Sequence, residues 1–177
     1  EVILEPEGRN TAAAIALAVL AIHRPEDEVM AVLPADHVIV DEATYQGVLL
    51  HAGEVAGDDD RSLVTLGVQM DRPATEYGYL IPRGQPVDRH TLAIHPLERF
   101  QEKPDAAAAA ELFARGGGIA WNAGMFLWQR GAIRAALAAY TDLPLGSEGD
   151  LRAAYPGLRT RSIDYEVMEP AARDGRV

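Results

Sequence analysis

An α/β fold with a doubly wound sheet is the class this sequence predicts, and three observations carry it. Strand-like and helix-like runs alternate through the first 68 residues, the order expected of strands packed against helices in one sheet. Residues 29–33 (VMAVL) form a continuous apolar run of strand length, the pattern of a central parallel strand covered on both faces. Residues 12–22 are apolar nearly all round, the pattern of a buried helix.

The elements follow in order. Residues 2–5 (VILE) read as a short strand, and Pro6-Glu7-Gly8 turns the chain. Asn10 or Thr11 can cap a helix that runs to about His23. A polar loop over 24–28 leads into the strand at 29–33, and Pro34-Ala35-Asp36-His37 follows its C-terminal end. Residues 41–55 read as a helix, 58–61 as a charged turn and 63–68 (LVTLGV) as a second apolar strand. The second half is more mixed, with strands at 77–82 and 92–101 and an Ala-rich helix over 105–115 stopped by three glycines. A strand within 119–128, a helix over 132–140 and short helices from 143 onward complete the pass, with 163–169 the clearest of these.

Composition narrows the function. The 177 residues suffice for one sizeable core. A net charge of −11 argues against a broad phosphate-contacting surface for nucleic acid. No apolar run reaches the length of a membrane span and no signal peptide is visible. The chain has no cysteine, which excludes disulfides, thiolate catalysis and Cys-based metal sites, and a cytoplasmic location is the simplest expectation. Arginine occurs 15 times and lysine once, at Lys103. A lysine in so arginine-biased a chain draws attention, because ammonium and guanidinium are not interchangeable at a tight site.

Ligands in open α/β sheets bind beyond the carboxyl ends of the strands. That rule singles out Asp36, placed to hold Mg²⁺ against phosphate oxygens, although a turn or capping Asp would look the same. The segment Glu5–Thr11 joins a strand to a helix N-terminus, where free N–H groups favour an anion or a polar base edge. Arg9 adds charge there and Asn10 a paired donor and acceptor, while a plain N-cap turn remains the alternative. Gly78, between Tyr77 and Tyr79, reads as a close ligand approach or as a bulge. Glu102 and Lys103 end a strand before Pro104, as a site or as a surface ion pair. Asn122 is one polar amide inside an apolar run and needs partners from the backbone or from a sugar hydroxyl. No Walker A, GxGxxG, HExxH or nucleophile-elbow motif occurs.

Taken in order, EPEGRNTAAAIALA, VLPADHVI, LVTLGV, PATEYGYLI, FQEKPD, WNAGMFLW and SIDYEVME resemble the mannose-1-phosphate guanylyltransferases, the GDP-mannose pyrophosphorylases of bacterial type, over residues 4–169. The resemblance implies a Rossmann-like nucleotide-diphospho-sugar transferase fold with a mixed, mainly parallel sheet, and a nucleotidyltransferase domain over 1–177. It implies the conversion of GTP and mannose 1-phosphate to GDP-mannose and pyrophosphate with Mg²⁺, and a homodimer as one expectation for assembly. Asp36 would be a Mg²⁺ ligand and, with Lys103, catalytic. Arg9, Asn10, Thr11 and Asp36 would bind the nucleotide; Gly78, Glu102, Lys103 and Asn122 would bind the sugar phosphate.

Two departures stand inside the motifs: Ala13 where Pro is common, and Glu76 where Gly is common, which adds negative charge near the sugar site. The family also opens with a GGxGTR…PK loop and carries a second metal-binding Asp in a W-x-D-x-G-x-W stretch after SIDY-x-VME, and neither lies within 1–177. The start at Glu1 and the stop at Val177 therefore suggest an internal piece, truncated at both ends and not competent alone. Two rivals stay open: a pyrophosphorylase for another nucleotide or sugar phosphate, and a non-catalytic sugar-nucleotide-binding homologue.

Overall fold

A computed structural model describes residues 2–89 and 92–177, with the backbone alone at 88 and 89. The elements are α1 (Thr11–Ala21), β1 (Val29–Val32), α2 (Glu42–Asp58), β2 (Leu63–Gln69), β3 (Tyr79–Pro82), β4 (Val87–Arg89), β5 (Leu92–Ile94), β6 (Leu97–Gln101), α3 (Ala106–Arg115), β7 (Ala120–Gln129), α4 (Arg130–Tyr140) and α5 (Glu148–Ala154). A 3₁₀ turn (Tyr155–Gly157), a π-helical turn (Asp164–Met168) and α6 (Glu169–Arg173) follow.

Several helix starts are set by side chains that accept otherwise orphaned N–H groups. Asn10 Oδ1 accepts from Thr11 N at 2.8 Å, Asp41 Oδ1 from Thr44 N at 3.0 Å and Asp105 Oδ1 from Ala108 N at 2.8 Å. Asn10 thus provides the cap that the sequence left between Asn10 and Thr11. α3 stops at Gly116, whose φ of 57° suits glycine.

The α/β class holds, and helices cover both faces of the sheet. Alternate residues of β7 divide between them. Phe126 and Trp128 pack with α1, α4 and the π-helical turn, whereas Leu127 packs with Ala52 and Ala56 of α2 and Trp121 with Ala109 and Leu112 of α3.

The strand directions differ from expectation. Every ladder among the described residues is antiparallel, where a mainly parallel sheet was expected. β7 is the hub, bonded to β1, β2 and β3, with β6 beyond β3. Among the described residues β1 pairs with β7 alone and is not a central parallel strand; Val29 and Leu33 stay 36% and 43% exposed. Apolar content reports how much a strand can bury, and carries no information on the direction of its neighbour.

Two smaller differences have local causes. Residues 2–5 form no ladder among the described residues, and Val2 and Leu4 are exposed; an extended apolar run becomes a strand only when its backbone groups find a partner. The run 92–101 splits into β5 and β6 at His95-Pro96, where Pro supplies no ladder donor, and β5 pairs with β4 in a separate hairpin.

Candidate active site

The register of β7 creates a gap. β2 lies along one edge of β7, pairing with residues from 120 to 128. β1 pairs with 126–129 and β3 with 120–121, so both take the opposite edge, end to end. Between the C-terminus of β1 and the start of β3, residues 122–125 of β7 pair with no strand on that edge among the described residues. At ~3.3 Å per residue the opening is about 13 Å long. Strand ends of this kind are where α/β sheets receive ligands.

The sequence-predicted residues divide into two groups. Gly78, immediately before β3, is buried and its carbonyl accepts from Asn122 N at 2.8 Å. Glu102, just past the end of β6, lies against it: a Cβ on Gly78 would stand 2.6 Å from Glu102 Oε2 and 3.0 Å from Phe100 Cζ. A side chain at Gly78 would therefore have to displace the Glu102 carboxylate, a reason for glycine that motif reading alone did not supply. Lys103 Nζ lies 3.1 Å from Glu102 Oε1 and is exposed. Its φ of 40° is left-handed, an unfavourable setting for any non-glycine residue and unusual before proline.

Asn122 has a fixed carboxamide. Its Oδ1 accepts from Thr65 Oγ1 at 2.8 Å and from Gly124 N at 3.2 Å, and its Nδ2 donates to Asp164 Oδ1 at 2.8 Å. The Gly124 N–H on the oxygen settles which way the amide points. Among the described residues Asn122 Nδ2 makes no second hydrogen bond. Asp164 is the member of this group that sequence reading missed, although it lies within SIDYEVME. Burial and the charge of Glu102 push its carboxyl above the ordinary aspartate range, against the pull of Asn122 and Lys103.

Aromatic and charged groups border Gly78. The rings of Tyr77 and Trp121 are 5.0 Å apart, and the Arg72 guanidinium lies 5.7 and 5.2 Å from their centroids. Arg72 also binds Glu76 at 2.7 Å and holds its carboxyl below the usual range. The extra charge expected from Glu76 is thus paired.

The second group is held differently. Arg9 Nε donates to Tyr155 O at 3.0 Å, and its Nη2 reaches Glu7 Oε1 at 2.6 Å and Pro156 O. Asn10 caps α1 at a φ of 68°, and Thr11 Oγ1 accepts from Ile163 N at 2.8 Å. Arg9 and Thr11 fasten the entry of α1 to residues 155–163, and Asn10 caps the helix there. Asp36 lies in the loop beyond β1, exposed, and no described protein group donates to its carboxylate. A groove between α2, β2 and the β4–β5 hairpin contains none of the sequence-predicted site residues.

Known proteins resemble this chain over most of its length. The sequence profile of the nucleotidyl transferase family matches residues 1–151. The mannose-1-phosphate guanylyltransferase of Escherichia coli (strain K12) is 38% identical over 97% of this chain and 39% of its own length. The alginate biosynthesis protein AlgA of Pseudomonas aeruginosa is 36% identical over 97% of this chain and 38% of its own. The chain thus spans about two fifths of these relatives. Among solved structures, the mannose-1-phosphate geranyltransferase of Thermus thermophilus superposes with a TM-score of 0.82 and 32% identity, over 96% of this chain and 50% of that one. The mannose-6-phosphate isomerase of Helicobacter pylori gives 0.75 and 29%, over 94% of this chain and 66% of that one.

Proposed function

The chain belongs to the nucleotidyl transferase family, and from that premise we propose that the protein encoded by its full reading frame transfers GMP from GTP to mannose 1-phosphate, giving GDP-mannose and pyrophosphate. The observation that supports this most is the gathering of Gly78, Glu102, the lone lysine and a carboxamide with one spare N–H at the gap in the sheet. Relatives named as mannose-1-phosphate guanylyltransferases support the choice of substrates.

In this reaction a phosphate oxygen of mannose 1-phosphate bonds to the α-phosphorus of GTP while the bond from that phosphorus to the pyrophosphate oxygen breaks. No protein nucleophile is needed, so the chain contributes position and charge. Lys103 neutralises the sugar phosphate, Glu102 accepts from sugar hydroxyls and Asn122 donates its remaining N–H. Gly78 keeps the Glu102 carboxylate in place and lets the sugar approach the backbone. Arg9, Asn10 and Thr11 border the guanosine.

Asp36 fits Mg²⁺, since its carboxylate is free of protein donors and Mg²⁺ usually takes one or two carboxylates besides phosphate oxygens and water. Among the described residues no cluster of three acidic or imidazole groups forms a protein cage, and such an ion does not require one. When bound, it would offset the charge of the triphosphate.

Pyrophosphate release by the full reading frame, with Mg²⁺, mannose 1-phosphate and each nucleoside triphosphate in turn, tests the reading. Turnover with GTP is expected. Preference for another triphosphate would overturn the guanosine assignment, and no turnover from folded protein would overturn the enzyme. Among the described residues no helix is long and apolar enough to cross a membrane. A cytoplasmic location and a homodimer belong to the same reading, and fractionation and sedimentation would check them.

A further inference from the structure

Asp164 is a costly residue for a purely structural task. It begins the π-helical turn Asp164–Met168, a wide turn of a kind often found at functional sites. The turn is well anchored without it: Ile163, Val167 and Met168 are fully buried, and Ile163 N donates to Thr11 Oγ1. Besides its own backbone N–H, the Asp164 side chain accepts from Asn122 Nδ2. Its charge lies near that of Glu102 and its carboxyl is pushed upward by burial, so the carboxylate form opposes folding rather than driving it. A neutral acceptor could satisfy the same N–H. What the carboxylate adds is a stronger, charge-assisted grip on one amide hydrogen, which leaves the other hydrogen in a set direction.

We propose that Asp164 is a positioning residue for sugar-phosphate recognition: together with Thr65 it locks the Asn122 carboxamide so that its remaining N–H is presented at the gap between β1 and β3. This rests on the function proposed above. Thr65 fixes the oxygen end of the amide and Asp164 the nitrogen end, so each acts on the ligand only through Asn122.

The test uses the full reading frame and measures KM for mannose 1-phosphate and for GTP separately. Wild type is assayed first; absence of turnover would sink the proposed function, and this inference with it. Given turnover, Asp164→Leu should raise KM for mannose 1-phosphate by about tenfold, the scale of one hydrogen bond involving a charged group, and leave KM for GTP within about twofold. Asp164→Asn, which can still accept from Asn122, should give a smaller rise. In an Asn122→Ala background, Asp164→Leu should add nothing further, because residues acting through one partner are not additive. An unchanged KM for mannose 1-phosphate in active Asp164 variants would overturn the proposal. So would equal increases for both substrates, or a full additional effect on Asn122→Ala. Should Asp164→Leu fail to fold, Asp164→Asn and Thr65→Val carry the same comparison with and without Asn122→Ala.

Discussion

Gly78 and Gly8 both sit beside candidate ligand-binding residues, but in unlike surroundings. A Cβ at Gly78 would meet Glu102 Oε2 at 2.6 Å, whereas one at Gly8 would meet nothing within 4 Å. The contrast extends to their neighbours. Around Gly78 the polar side chains hold one another: Lys103 to Glu102, and Thr65 to Asn122 to Asp164. Around Gly8, Arg9, Asn10 and Thr11 are bonded into the scaffold, and Asp36 across the gap has no protein partner among the described residues. The residues around Gly78 therefore form a preorganised polar network on packed strands. Those around Gly8 form a structural bracket, and Asp36 beyond β1 keeps a carboxylate that only a ligand or ion would engage. Preorganisation of the first kind suits a neutral polyol that must be read by hydrogen bonds. An unengaged carboxylate suits a charge that arrives with the substrate.

The largest expected effect is at Lys103. Lys103→Ala should lower kcat/KM of the full reading frame by about 10²–10³-fold, the scale of losing one charged group from a transition state. Lys103→Arg should restore little of it, because a planar fork does not replace a point charge held at a φ of 40°. Near-normal steady-state rates in the arginine variant would remove Lys103 from the network.

Gly78→Ala comes next. Displacing the Glu102 carboxylate should raise KM for mannose 1-phosphate about tenfold, on the scale of hydrogen bonds involving a charged group. Gly8→Ala should leave both KM values within about twofold. Equal tolerance at the two positions would break the comparison.

Arg9 and Asp36 sharpen it on the other side. Arg9→Ala removes side-chain hydrogen bonds to Tyr155 O and Pro156 O, and should cost about 1–3 kcal/mol of stability in chemical denaturation. Asp36→Asn should leave the unfolding midpoint unchanged while removing activity. If Asp36→Asn destabilised the fold and Arg9→Ala did not, the bracket would have been misplaced.

The smallest effect is in pH dependence. Asp164 has a carboxyl raised in the folded state, chiefly by burial and next by Glu102. Below the ordinary aspartate range it is protonated both folded and unfolded, and contributes no penalty. As pH rises through the interval up to its raised folded value, the unfolded state releases the proton first, so stability falls and the loss persists above. Asp164→Asn should therefore melt higher than wild type at neutral pH, with the difference vanishing in acid. Melting curves across pH would show this, and a lower neutral melting point in the variant would contradict it.

Much of this was legible in the sequence. Helices beginning near Asp41 and Asp105, the strand at β7 and the candidate residues that meet at the gap follow from local chemistry and motif order. Three features were not. The antiparallel pairing of β1 depends on its neighbour, and an apolar run is silent on that. Glu102 as the reason for Gly78 depends on a contact across two strands. Asp164 sits in an ordinary-looking amphipathic stretch, and only the fold brings it 42 positions along the chain to Asn122.

Whether the gap between β1 and β3 is the sugar-phosphate site is decided most directly by a titration with mannose 1-phosphate. Pyrophosphate release would be followed at saturating GTP for wild type, Gly78→Ala and Gly8→Ala of the full reading frame. Saturable turnover is expected in all three, with the half-saturating concentration raised about tenfold in Gly78→Ala alone. Superimposable curves for Gly78→Ala and wild type would place the sugar phosphate elsewhere.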